Sequence, residues 1–232
     1  MTQNPTTKER PTKASNYLAP FLLFAYASGA LAHTLPSVLP LTRYITDPLL
    51  LLLNGLIFYA IYQENKDRAL FTWAAVAYTF TFATEVAGVA TGAIFGEYAY
   101  GPTMWAQWLG VPFVIALNWC VLTLACNDLT TRIIGVPTPG KKSFLLRCVL
   151  TALGAGVLTA LYDVLIEPVA IQLAWWDWAA PEIPLQNYLA WAAIAFLLSL
   201  PLHLLQIRYR SRLLLVYFFA QLFFFVVLNL AL

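Results

Sequence analysis

The chain has 232 residues, 61% of them hydrophobic and 10% charged, with a mean hydropathy of +0.72 and a formal net charge of +2. Soluble domains carry roughly a quarter charged residues, so this composition excludes a water-soluble globular protein, and the small basic excess is no nucleic-acid footprint. Cys120, Cys126 and Cys148 occur with neither a Cys-x-x-Cys nor a His-x-x-x-His spacing, so neither a disulfide framework nor a metal centre is expected.

In chain order, residues 1–16 are polar and lack the apolar core of a cleavable leader, so the first apolar run is expected to be a retained signal anchor. Seven apolar runs follow, at 17–35, 46–62, 69–95, 108–126, 144–175, 186–206 and 213–232. Each is about long enough to cross roughly 30 Å of hydrocarbon at ~1.5 Å per residue. The expectation is an all-α polytopic transmembrane bundle of seven helices, a single integral-membrane domain over 1–232 with a cytoplasmic polar N-terminus at 1–16 and the bundle over 17–232. The third and fifth runs exceed the need, which predicts tilt or an outer turn beyond the hydrocarbon. The stretch 135–142, with Pro137 and Pro139, is a linker between helical hairpins. Of thirteen Lys and Arg, twelve fall in loops on one side and only Arg43 on the other. The positive-inside rule then places the N-terminus in the cytoplasm and the C-terminus outside, in the cytoplasmic (inner) membrane.

Asp163 and Glu167 are the anomaly in this pattern: two acids four residues apart, hence on one helical face, inside the fifth run. An ionisable group in a bilayer costs several kcal/mol unless paired, protonated or facing a cavity, so it marks a candidate functional site. Counting depth along alternating helices places Glu85, Asn118, Asp163, Glu167 and Asn187 in one outer layer. Two aromatic segments cap that layer: 95–101, with Tyr98 and Tyr100, and 175–178, with Trp176 and Trp178. Each reads as an interfacial belt or as a cover for the acids. Pro112 and Trp119 recur as Pro184 and Trp191 at the same spacing, which predicts a repeat of parallel kind relating helices three and four to five and six. Gly88, Gly92 and Gly96 form a small-residue stripe, either for close helix packing or as the wall of a groove for a thin apolar ligand. His33 and His203 read as structural, Glu97 and Asp177 as solvated interfacial acids with Arg43 as a possible ion partner, and helix seven as a lipid-facing or packing helix.

Taken in order, Glu85, Gly88, Gly92, Phe95, Tyr98, Tyr100, Gly110 to Pro112, Asn118, Trp119, Asp163, Glu167, Pro168, Trp176, Trp178, Ile183 to Leu185, Asn187, Tyr188 and Trp191 resemble the integral-membrane carotenoid biosynthesis proteins that act as carotenoid 1,2-hydratases. The resemblance covers about half the chain. It implies addition of water to the terminal C1–C2 double bond of an acyclic end group, as in lycopene, γ-carotene or a bacterioruberin precursor. The segment between Trp178 and Pro184 is shorter than in that family and lacks its glycines. The implied partners are a carotenoid entering from the lipid, membrane lipids and other carotenoid-biosynthesis enzymes, with no nucleic acid.

The chemistry suits the residues. Hydration in the Markovnikov sense needs a proton on C2, a tertiary cation at C1 and attack by water. Paired carboxyls in an apolar site share a proton, so Asp163 is expected as general acid, with Glu167 or Glu85 orienting and deprotonating the water. Asn118 and Asn187 are expected to hold that water. Trp119, Tyr98, Tyr100, Trp176, Trp178 and Trp191, with Gly88 and Gly92, are expected to line the substrate site, Trp119 or Tyr98 offering a π face to the cation. The addition is redox-neutral and calls for no cofactor. A transporter or channel using the same carboxylates, and a non-catalytic carotenoid-binding protein, are the alternatives. A retinal photoreceptor is excluded because helix seven carries no Lys.

Overall fold

The computed structural model describes residues 11–232. Among these, seven helices run in chain order: α1 (Lys13–Thr34), α2 (Leu39–Asn65), α3 (Arg68–Thr91), α4 (Phe113–Ile134), α5 (Phe144–Gln172), α6 (Leu185–Leu204) and α7 (Arg212–Ala231). Four short strands, β1 (Tyr98–Tyr100), β2 (Gln107–Trp108), β3 (Val111–Pro112) and β4 (Trp176–Trp178), all lie at one end of the bundle. Lys8 and Arg10 of the expected polar N-terminus lie outside the described residues, and α1 already begins at Lys13.

Local signals set the helix starts. Thr12, Asp67 and Ser211 accept backbone N–H groups of α1, α3 and α7 through their side-chain oxygens, at 3.2, 3.0 and 3.1 Å. α4 and α6 start instead after Pro112 and Pro184, whose extended backbones (φ −69°, ψ 136° and φ −63°, ψ 136°) match closely. α2, α4, α5, α6 and α7 are long and apolar enough to cross a membrane. Burial is arranged for lipid. On α5 the stripe Leu146, Leu150, Leu153, Val157, Leu161 and Val164 stays exposed, while Thr151, Ala155, Thr159, Asp163 and Glu167 face inward. A polytopic helical bundle is the result, with α4 at its centre: fifteen of its 22 residues are buried.

Several boundaries differ from the sequence expectation. α2 begins at Leu39, seven residues before the expected start at 46, so Arg43 and Asp47 lie within it. α3 stops at Thr91 because Gly92 turns left-handed, with φ +65°, which ends the glycine stripe as a helical feature. Gly88 is then covered by its own chain: a Cβ there would meet the Phe95 ring at 2.5 Å. α4 starts at Phe113 and runs to Ile134, which brings Asn127 and Asp128 inside the helix, both with no exposed surface. Asp128 is paired with Arg132 (2.8 Å) and Arg210 (3.3 Å) at the arginine-rich end. α7 is a packing helix, with Tyr217 and Gln221 buried. Arg43 makes no ion pair with Glu97 or Asp177 among the described residues. Asp47 instead accepts the backbone N–H of Ala106 at 3.0 Å.

The repeat has a structural counterpart. β1 and β4 pair antiparallel, Tyr98 opposite Trp178, Ala99 opposite Asp177 and Tyr100 opposite Trp176. That register is two-fold symmetric about Ala99 and Asp177, and an offset of 78 residues carries Tyr98 to Trp176 and Tyr100 to Trp178. The same offset carries Ala77, Thr81 and Glu85 of α3 to Ala155, Thr159 and Asp163 of α5. Beyond the strands, Trp119 and Trp191 stack with centroids 3.6 Å apart and planes 12° apart. The units α3-β1-α4 and α5-β4-α6 are thus related by a pseudo-two-fold axis along the bundle.

Close packing of the second unit sets a stability test. A Cβ on Gly156 would meet the carbonyl oxygen of Ala192 at 2.6 Å and the Phe196 Cβ at 3.3 Å, whereas Gly55 has nothing within 4 Å. Gly156→Val is expected to cost about 1–3 kcal/mol or more by overpacking the α5–α6 contact. Gly55→Ala should be neutral or stabilising by about 0.5–1 kcal/mol. Thermal unfolding midpoints in detergent compare the two.

Candidate active site

The strands turn two aromatic segments into a lid. Successive residues of a strand face opposite ways, so Tyr98 and Tyr100, with Trp176 and Trp178, share one face of the β1–β4 ribbon, and Ala99 and Asp177 take the other and are exposed. Neighbouring contacts hold the ribbon down. Gly101 N–H donates to the Trp175 carbonyl (2.8 Å) and the Thr103 hydroxyl to the Ala174 carbonyl (2.6 Å).

Under that face lies a cavity lined by Glu85, Tyr98, Tyr100, Ile115, Trp119, Asp163, Glu167, Trp176, Trp178, Asn187 and Trp191. Glu85, Asp163, Glu167 and Asn187 are each 2% exposed. The volume is about 30 Å³; a water needs roughly 10–15 Å³ on this measure, so one or two fit. Eleven residues from α3, α4, α5, α6 and the ribbon thus converge on a space of water's size.

The three carboxyls are solvated unequally. Glu167 accepts three N–H groups: Trp176 Nε1 (2.8 Å) and Trp178 Nε1 (2.9 Å) on one oxygen, Asn187 Nδ2 (3.0 Å) on the other. Asp163 accepts from the same Asn187 nitrogen at 2.8 Å, so one amide bridges both acids. Glu85 accepts the Tyr98 hydroxyl, with the Tyr100 hydroxyl within reach of the same carboxyl. Burial first, and the Glu85 charge second, push both phenols well above the ordinary tyrosine range, so they keep their protons and act as hydrogen-bond donors. No cation stands near: the ion pairs among the described residues involve only Asp67 and Asp128. Three negative charges together at this depth would be very costly; a proton held among them lowers that cost. No cluster of His, Cys, Asp and Glu with metal-binding geometry occurs among the described residues.

Of the residues named from sequence, Glu85, Tyr98, Tyr100, Trp119, Asp163, Glu167, Trp176, Trp178, Asn187 and Trp191 meet at this cavity. Asn118 does not. Its Oδ1 accepts from Asn54 (3.3 Å), Tyr217 (2.9 Å) and Gln221 (3.2 Å), on the side of α4 that faces α2 and α7. Ile115 and Trp119, one turn apart, are the residues of α4 that reach the cavity. Gly88 and Gly92 are absent from the lining, being occupied by Phe95 and Glu97 of their own loop. Trp191 is sandwiched between Trp119 and Phe95, the latter at 4.9 Å and 20°, so neither of its faces is free for a cation. Ile115 was not singled out from sequence. Its signal is positional, since the repeat offset that joins Trp119 to Trp191 joins Ile115 to Asn187. His33 bonds to Gly29 and Thr46, and His203 to Asn127, both away from the cavity.

A comparison with known proteins bears on this arrangement. A curated bisanhydrobacterioruberin hydratase from Haloarcula japonica is 29% identical over 123 residues, 51% of this chain and 40% of the relative. The alignment thus spans less than half the length of that relative. No solved structure matches. The family model described as carotenoid biosynthesis protein matches residues 46–232, which include all the cavity residues, and the chain belongs to that family.

Proposed function

We propose that this protein is a carotenoid 1,2-hydratase of the cytoplasmic membrane, N-terminus inside, adding water across the terminal C1–C2 double bond of an acyclic end group such as that of lycopene or γ-carotene. The observation that carries the reading is the unequal solvation of the three carboxyls around a cavity of water's size. Family membership and the hydratase relative support it.

Glu167 is saturated by three N–H donors that cannot accept a proton back, so it acts as a fixed anion. Asp163 has a single donor and is the carboxyl free to carry a proton. In the reaction the Asp163 O–H bond breaks and its proton forms a bond to C2. The π electrons leave C1 as a tertiary cation, which the Glu167 charge and the Trp119 ring lining the cavity stabilise. A water oxygen then bonds to C1, and its excess proton passes to Glu85. Tyr98 and Tyr100 hold Glu85 in place for that step. A final proton transfer from Glu85 to Asp163, directly or through water, restores the starting state. The product is a tertiary alcohol.

A transporter using these carboxylates would need acids linked from one end of the bundle to the other. The buried acid at the opposite end, Asp128, is paired with two arginines, so it does not extend the cavity into a polar path.

Expression in cells that make lycopene or γ-carotene, grown in ¹⁸O-labelled water, should give carotenoids with a labelled tertiary hydroxyl by mass spectrometry. Label arriving from O₂ would instead identify an oxygenase, and no new hydroxyl would reject these substrates. Asp163→Asn should lower turnover by about 10²–10⁴-fold, the usual contribution of a general acid, with little change in thermal stability. Trp178→Phe removes one donor from Glu167. Hydrogen bonds to charged groups contribute about 1.5–3 kcal/mol, so turnover should fall by roughly 10–100-fold, while Trp178→His, which keeps a ring N–H, should recover part of it.

A further inference from the structure

A second cavity lies away from the carboxyls, between α1, α2 and α7. Tyr26, Gly29, Leu53, Trp175, Phe224 and Phe225 form most of its wall, its volume is about 50 Å³, and Gln221 lines it. The lining is almost wholly apolar. His33 and Thr46, at one end, are bonded to each other at 3.0 Å. Gln221 differs: it is 1% exposed, and its Oε1 has no hydrogen-bond partner. Its Nε2 donates to Asn118 Oδ1 at 3.2 Å and Tyr26 Oη at 3.3 Å. Asn118 Oδ1 also accepts from Asn54 and Tyr217, which fixes it as the acceptor, so turning the Gln221 amide over would set two oxygens together and the carbonyl keeps its unpaired orientation. An unpaired acceptor at membrane depth is costly, and an apolar slot with one free acceptor selects an apolar group carrying one O–H.

We infer that this cavity binds the hydroxylated end of a membrane-soluble aliphatic alcohol, its O–H donating to Gln221 Oε1 and its branched hydrocarbon packing on Leu53, Phe224 and Phe225. A cavity of about 150 Å³ takes a benzene ring, so this smaller one receives the tip of the molecule. The tail leaves past Ala25 and Leu49, the latter 37% exposed. The inference stands apart from the hydration reading, because none of the residues it uses lines the carboxyl cavity. Two sources share this chemistry: a carotenoid whose end bears a tertiary hydroxyl, and an isoprenoid alcohol resident in the membrane.

The test uses the full chain in nanodiscs of saturated phosphatidylcholine, titrated with 2-methylheptan-2-ol and with 2-methylheptane, reading the thermal unfolding midpoint. A ligand of the native state raises that midpoint with concentration. The alcohol should raise it well beyond the alkane, and Gln221→Leu should bring the two to the same level. If Gln221→Leu does not fold, Ala25→Leu, which narrows the mouth, should abolish the alcohol's shift. Equal shifts from alcohol and alkane, or no shift from either, would overturn the inference. Mass spectrometry of molecules co-purified from cells with and without carotenoid synthesis separates the sources. A hydroxylated carotenoid found only in the first cells identifies the polyene end, and an isoprenoid alcohol found in both identifies a resident lipid. Recovery of neither overturns the inference.

Discussion

Glu85, Asp163 and Glu167 share a cavity that has no cation among the described residues, and the placement of almost every polar group around them follows from that deficit. A buried charge needs either an opposite charge or several good donors. This bundle uses neutral donors: two indole N–H groups, one amide and two phenols. Helices alone would not bring these together, since each strand aromatic follows its helix by only a few residues and must fold back over it. Pairing of β1 with β4 solves the geometry, turning both segments over the cavity at once. The ribbon therefore closes the site, supplies its donors and ties the two halves of the repeat together.

The repeat explains how the halves came to differ. Equivalent positions hold Glu85 and Asp163, Tyr98 and Trp176, Tyr100 and Trp178. In the first half the donors are hydroxyls, which both give and accept hydrogen bonds. In the second they are indoles, which only give. On the hydratase reading, Glu85 is the carboxyl held by hydroxyls that can turn, and Glu167 is the one held by donors that cannot. Val89 occupies the position equivalent to Glu167, so the fixed anion exists in one half only. On the hydratase reading this asymmetry separates the group that receives the water's proton from the group that faces the cation.

Much of this was legible in the sequence, and the failures have physical causes. The spacing of Asp163 and Glu167 gave a shared face because helical periodicity is rigid, and the recurrence of Pro112–Trp119 at Pro184–Trp191 gave the repeat. Asn118 was misplaced because depth along a helix does not fix direction around it. Asn118 sits only about 8 Å into α4 at ~1.5 Å per residue, and it points toward α2 and α7. Tyr98-x-Tyr100 and Trp176-x-Trp178 alternate as a strand does, but aromatic residues at a membrane boundary carry the same composition as an interfacial belt. Gly92 ended α3 through its backbone angle, which hydropathy does not register. Asp47 and Asp128 escape a reading of the sequence because each lies at or just beyond the edge of an apolar run, where an acid looks solvated; partners distant in sequence, Ala106 and Arg210, hold them in the structure.

Cavity size sets the order of events on the hydratase reading. The space beneath the ribbon admits one or two waters, far less than a carotenoid end group, so the end group must widen the site as it enters. The acceptors that hold the water belong to helices on both sides of the pseudo-two-fold axis, whereas the aromatic cover belongs to the ribbon. Entry is therefore easier by displacing side chains of the cover, or by parting α3 from α6, than by moving the carboxyls. On that reading water is in place before the alkene arrives, and the cation forms next to its nucleophile. Recognition is then confined to the last isoprenoid unit, since nothing longer fits among the acids. On the same reading, carotenoids that differ at the far end but share an acyclic terminus would present the same group to Asp163, and the distinction among them would fall to the lipid-facing surface.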